Sequence, residues 1–186
     1  MPFPSAVAGR QLVTITGTPV PIPDPDCLVH LQFRRFAGCP VCSLHLRSVV
    51  DRLDEIHAAN IREVVVFHSS AEELLKYTAD LPLAVIADPG RRLYREFGVE
   101  SAPRALLDPR AWPTILRAIT REVRASRTPG HVAPPGKPEG GRLGLPADFL
   151  IAPDGRVVAS KHGAHADDQW SVDELLSHAT KTEVYR

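Results

Sequence analysis

Three cysteines in 186 residues are too few, and odd in number, for a disulfide scaffold. No charge of one sign is in surplus, since 22 Lys+Arg stand against 22 Asp+Glu. Nucleic acid and anionic membranes are held by excess Lys and Arg, so neither is expected as the main partner. No apolar run approaches the roughly 18 residues of a membrane span. The first residues lack both the basic start and the long apolar stretch of a secretory signal. What the chain does have is apolar substance. Hydrophobic residues make up 44%, too many for a disordered chain. At about 100–200 residues per domain, 1–186 is expected to form one domain with a core that needs no crosslink. The expectation is a soluble, cytoplasmic protein.

Periodicity orders the chain. Within 1–26, an alternating run at 11–16 and the Pro-rich stretch from Pro19 to Pro25 suggest an edge strand or small hairpin and an extended segment. Leu28, Val29, Leu31, Phe33 and Phe36 mark a strand buried on both faces. Gly38, Cys39, Pro40 and Cys42 follow, and then a helical pattern in which Leu44, Leu46, Val49, Val50, Leu53 and Ile56 recur. Pro40 falls in the first turn, where proline is welcome. Strands are expected at 61–70 and 83–87, each followed by a short helix. The first of these helices starts at Ser69 and Ser70, and the second ends at Gly98. A helix is expected at 111–125, with Trp112, Ile115, Leu116, Ile119 and Val123 on one side. Residues 128–144, dense in Gly and Pro, read as a long loop. The turn Pro153, Asp154, Gly155 joins a hairpin. Ser171 and Glu174 then form a capping box for a last helix. The order predicts an α/β fold: a central mixed sheet with helices on both faces, and an inserted helix plus long loop around 100–145.

The chemistry centres on Cys39 and Cys42. A C-x-x-C that follows a buried strand and opens a helix places sulfur at unpaired N–H groups and the positive end of the helix dipole, which stabilise a thiolate. Cys39 sits at the helix mouth, and Cys42 is one turn in, close enough to bond to it. Arg34 and Arg35 lie just upstream, and either could add positive potential. A zinc or copper site is an alternative, with His45 extending the pattern, but no second ligand pair follows at finger spacing. A structural pair of buried thiols is another. Cys27 reads as a core residue, with a second resolving thiol as the alternative reading. Asp148 reads as a solvent-facing strand residue, with a proton relay as the sharper idea. Trp112 and Trp170 read as packing residues. His45, His57, His68 and His131 read as ordinary helix, strand-end or loop residues, and His162 and His165 as loop residues.

The run Phe33, Arg34, Arg35, Phe36, Gly38, Cys39, Pro40, Cys42 resembles the R-x-F-G-C-P-x-C segment of peroxiredoxin-like (AhpC/TSA-type) proteins of the thioredoxin superfamily. The block from Gly144 to Val158 and the tail from His162 to Leu176 are similar to later parts of that family. The resemblance implies a thioredoxin-like three-layer sandwich and a thiol oxidoreductase of the C-x-x-C subgroup, acting on peroxides or disulfides. It implies that Cys39 attacks and Cys42 resolves, with no bound cofactor. The reductant would be a thioredoxin-like protein or a low-molecular-weight thiol, and a homodimer would be the assembly. It further implies that Pro146 is a cis-proline lying against the sulfur pair. The chain departs from typical peroxiredoxins at two peroxide-aligning positions, with Gln32 in place of Pro and Phe36 in place of Thr. Pro146 stands in the region of a later Arg. Arg34, Arg35 or Arg104 are the candidate substitutes. A thiol-disulfide oxidoreductase without peroxidase activity, and a non-catalytic binding or metal-handling protein, are the alternatives.

Overall fold

The computed structural model describes residues 5–183. The chain forms β1 (Arg10–Val13), β2 (Pro19–Ile22), β3 (Leu28–Phe33), α1 (Pro40–Val50), α2 (Leu53–Ala58), β4 (Ile61–Phe67), α3 (Ala71–Thr78) and β5 (Ala84–Ala87). It continues with α4 (Arg92–Glu96), α5 (Arg104–Leu107), a 3-10 turn (Pro109–Ala111), α6 (Trp112–Ala125), β6 (Ala147–Ile151), β7 (Val157–His162) and α7 (Val172–Glu183). The first part of the segment 1–26, residues 1–4, lies outside the described residues.

Five strands form one sheet in the order β5-β4-β3-β6-β7. β3, β4 and β5 are parallel, whereas β6 and β7 join antiparallel. Every residue of the central β3 is buried, as its near-continuous apolar character requires. β1 and β2 pair as a separate two-stranded ribbon, where Pro19 and Pro21 are tolerated. On one face of the main sheet, Leu31, Phe33, Val66 and Phe149 pack against Leu93 and Phe97 from the α4 region and Ile22 from the ribbon. On the other, Val65, Phe67 and Val85 pack against Leu46 of α1, Leu74 of α3 and Ala118 of α6. Leu150 meets Val49, Trp170 and Leu175 beside them. Layers on both faces of a mixed sheet are the expected thioredoxin-like architecture.

Three local outcomes differ from, or sharpen, the sequence reading. The helical pattern at 44–56 splits into α1 and α2, because the Arg52 N–H bonds the Val49 carbonyl at 3.2 Å and tightens the last turn. The capping box forms as read: Glu174 N–H donates to Ser171 Oγ at 3.2 Å, and Ser171 N–H donates to the Glu174 carboxylate at 2.7 Å. Most of the apolar side of α6 does not pack. Ile115 and Ala118 meet the core, while Trp112 (53% exposed), Leu116 (64%), Ile119 (51%) and Val123 (53%) face outward. Trp112 is therefore not a packing residue, unlike Trp170, which is buried against the rings of His30 and His178.

Candidate active site

β3 delivers the chain to the C-terminal end of the parallel strands, and Gly38 turns it into α1. Gly38 has φ +73°, and a Cβ there would sit 2.7 Å from the Tyr77 ring, so only glycine fits the turn. Cys39 is the N-cap of α1, with extended backbone and Pro40 in the first turn. Its sulfur accepts the Cys42 N–H at 3.4 Å, the helix-mouth contact its position foretells. One turn on, Cys42 Sγ lies 2.7 Å from Cys39 Sγ. Both thiols are free and buried.

At that distance the two sulfurs cannot both hold charge, so they titrate as a pair. Burial, and then the neighbouring sulfur, push the Cys39 thiol well up. Burial also opposes ionisation of Cys42. The hydrogen bond between the two sulfurs and the nearby Arg35 guanidinium overcome it and bring Cys42 down to about 7. Within the pair Cys42 is thus pulled down and Cys39 pushed up, whereas the sequence places the anion at Cys39. Arg35 is the arginine that acts on both sulfurs. Arg34, equally buried, is committed to Asp148 at 2.8 Å and His45 at 2.9 Å.

The 128–144 segment straps over this end of the sheet. The Tyr77 hydroxyl donates to the Ala133 carbonyl at 2.9 Å, and the Ser70 N–H to the Glu139 carboxylate at 2.6 Å. The Arg35 guanidinium donates to the Arg142 carbonyl at 2.8 Å. Arg35 and Arg142 both lie over the Phe36 ring. His68, read as an ordinary strand-end residue, is buried under the strap, with Nδ1 bonded to the Glu139 carbonyl at 3.2 Å and Nε2 unpartnered. Burial and then Arg91 lower its pKa to about 4.

Beneath the pair runs a buried polar stripe that the apolar reading of β3 overlooked. His30 and Gln32 point the same way from β3; Glu63 lies opposite His30 on β4, and Asp148 opposite Gln32 on β6. His30 Nδ1 bonds Glu63 at 2.9 Å, while Nε2 approaches Asp148 at 3.4 Å. Gln32 bridges Glu63 and Arg34. Asp148 is fully buried rather than solvent-facing, and its carboxylate also accepts the Trp170 N–H at 3.1 Å. Burial opposes its ionisation, but Arg34 holds it well below the usual carboxylate range. The signal available in the sequence was two polar residues, two apart, inside an apolar strand.

Other expected site residues lie elsewhere. The Leu145–Pro146 bond is trans; among the described residues the cis bond is Ile22–Pro23. Leu145 N–H bonds the Glu100 carbonyl at 3.0 Å, and the Ala102 N–H bonds that of Leu143 at 2.8 Å, which holds the approach to Pro146 extended. The Pro146 carbonyl is taken by the Gly163 N–H at 2.8 Å, and Pro146 lines a cleft with Arg104 and His162 that neither cysteine lines. Arg104 pairs with Glu100. Cys27 is buried at the far end of β3, and that six-residue strand spans about 20 Å. That separation is beyond disulfide reach, so Cys27 is no resolving thiol. His162 bonds the Phe97 carbonyl at 3.0 Å, and His165 Nδ1 accepts the Asp167 N–H at 3.3 Å. Among the described residues no group of three or more His, Cys, Asp or Glu could hold a metal ion.

Residues 46–165 match the model of a family described as AhpC/TSA antioxidant enzyme. The match begins just after Cys42. No curated protein matches the chain. Among solved structures it is similar to Peroxidoxin BcpB from Mycobacterium tuberculosis, at 17% identity over 97% of each chain with a TM-score of 0.66. A putative thiol:disulfide interchange protein DsbE from Chlorobium tepidum matches at 16% identity over 98% of this chain and 97% of that one, with a TM-score of 0.58. Xanthomonas campestris Peroxiredoxin Q matches at 16% over 92% and 90%, with a TM-score of 0.60. These likenesses carry the fold, and the family model covers well over half of the sequence: the chain belongs to the AhpC/TSA antioxidant enzyme family.

Proposed function

We propose that this protein is a thiol-dependent reductase of peroxides or disulfides that cycles through a Cys39–Cys42 disulfide, in the C-x-x-C manner. The observation that carries the reading is the 2.7 Å approach of two free sulfurs at the opening of α1. Cys39 attacks, and the Cys42 thiolate, with a pKa of about 7, takes its proton as the new bond forms. With a peroxide, the O–O bond breaks, Cys39 becomes a sulfenic acid and the alkoxide or hydroxide leaves as alcohol or water. Cys42 then displaces hydroxide from that sulfur, which leaves as water when protonated. With a disulfide substrate, Cys39 forms a mixed disulfide, one substrate thiol departs, and Cys42 releases the other. A thioredoxin-like protein or a low-molecular-weight thiol restores the dithiol. A cytoplasmic setting, where such reductants are kept, and a homodimer go with this reading.

A disulfide substrate is the second reading, favoured by Phe36. It stands where the resemblance calls for a peroxide-aligning Thr, and its ring, with the Arg35 and Arg142 guanidiniums over it, has no hydroxyl to offer. Stopped-flow mixing of reduced protein with hydrogen peroxide and, separately, with a peptide disulfide decides between them. Fast loss of two thiols with peroxide, and a sulfenate trapped in Cys42→Ser but not in Cys39→Ser, supports the peroxidase. A slow peroxide reaction beside a rapid disulfide reaction leaves the disulfide reductase. If neither oxidant couples the sulfurs, the redox function is wrong.

A further inference from the structure

We infer that the cleft at the sulfur pair takes a small thiol or disulfide carrying both a carboxylate and an ammonium group, of the amino-acid or short-peptide kind; this rests on the redox reading above. Cys39 and Cys42 line a cleft of about 330 Å³ together with Arg47, Asp51 and Asp80. It adjoins a second cleft of about 310 Å³, with which it shares Gly38, Ser43, Arg47 and Tyr77 and which reaches Arg121 on α6. Together they fall within the range of small-molecule sites.

The charges in these clefts have an unusual arrangement. Lys76, which lines the second cleft, is paired with Glu73, and the Glu122 carboxylate there bonds the His131 ring. Arg47 and Arg121 have no acidic partner among the described residues, and Asp51 and Asp80 no basic one. Arg47, which lines both clefts, and Arg121 in the second therefore stand without a carboxylate partner, and Asp51 and Asp80 in the first without a cation, with the sulfurs beside them. A neutral peroxide or an alkyl chain would leave all four unused. A zwitterionic thiol uses each: sulfur at Cys39 and Cys42, ammonium toward Asp51 and Asp80, carboxylate on Arg47 and Arg121, where guanidinium can bind it through two hydrogen bonds. Such a thiol would act as the reductant. Its thiolate attacks one sulfur of the Cys39–Cys42 disulfide to give a mixed disulfide and a protein thiolate. A second thiol then displaces the first as a small disulfide. Two thiols are oxidised to one disulfide, and the protein gains two electrons and two protons.

The test measures rate constants for reduction of the oxidised protein by glutathione, which bears both charges, and by uncharged β-mercaptoethanol at the same pH. In Arg47→Gln/Arg121→Gln the ratio of the glutathione to the β-mercaptoethanol constant should fall about tenfold, the loss of a charge-assisted carboxylate contact. In Arg92→Gln, which removes an exposed charge outside the cleft, the ratio should hold. Because the ratio is internal to each protein, a general loss of folding cancels. An unchanged ratio in the double variant, or an equal fall in Arg92→Gln, overturns the inference. Failure of both thiols to reduce wild-type protein overturns instead the redox reading on which it rests.

Discussion

At Cys42, burial and charge pull in opposite directions, and Arg35 is the side chain that helps charge win. Arg35→Met should move the lower thiol pKa up from about 7 toward the ordinary value of about 8.5, slowing alkylation by iodoacetamide at neutral pH several-fold. Arg35→Lys, which keeps the charge, should recover part of the rate. A pH–rate profile for alkylation reads both, and an unmoved midpoint in Arg35→Met would remove Arg35 from the site. The C-x-x-C and its helix were legible from residue types alone. Which arginine serves the sulfurs was not, because β3 ends at Phe33 and strand alternation says nothing about Arg34 and Arg35 beyond it. Nor was the proton balance, since both thiols are buried and only the distance between them makes the pair share a proton. Pro146 shows the limit of resemblance: hydrogen bonds to 100–102 tie down the approach to it, and its bond takes the ordinary trans form.

At the scale of the elements, the stripe under β3 ties β3, β4 and β6 together through charge. Arg34→Met would leave the buried Asp148 without its closest cation and with only His30 opposite its charge, a loss of about 3 kcal/mol that urea unfolding would measure. pH acts on the same stripe. His30 is raised to about 9: burial opposes its charge, but Glu63 and Asp148 outweigh it. A raised folded value contributes stability fully below the ordinary value near 6.5, and loses it as pH rises through about 9. Asp148 is depressed, so its contribution is present above the ordinary carboxylate range and lost as pH falls toward its folded value. The melting temperature should therefore decline between about pH 6.5 and 9 in the wild type. His30→Gln should flatten that limb and start lower; an identical slope in both would show that His30 is neutral throughout. Element order was readable because Val, Ile and Leu periodicity and the Ser171 cap are local signals. The stripe was not, because Glu63 and Asp148 meet His30 and Gln32 only through sheet register.

Across the whole molecule, the 128–144 segment joins α3, the end of β3 and the approach to β6 beside the turn at Gly38 that leads to the sulfurs, held by Tyr77, Ser70 and Arg35. Glu139→Ala deletes the carboxylate that receives the Ser70 N–H. It should leave global stability within about 1–2 kcal/mol and raise the reaction rate of the buried thiols with a bulky disulfide reagent several-fold. No change in that rate would mean that the strap does not limit access. Sequence composition marked this segment as a loop but could not show what it covers. The exposed apolar side of α6 was equally hidden, since amphipathic spacing does not say which stripe meets the core. Everything proposed for the site depends on two sulfurs behaving as one acid. The direct measurement is a titration of thiolate ultraviolet absorbance in the reduced protein, repeated in Cys42→Ser. One thiolate should form with a midpoint of about 7 and the next only well above 9, and Cys42→Ser should lose the low midpoint. Two independent thiols near the ordinary value of about 8.5, unaffected by the substitution, would contradict it.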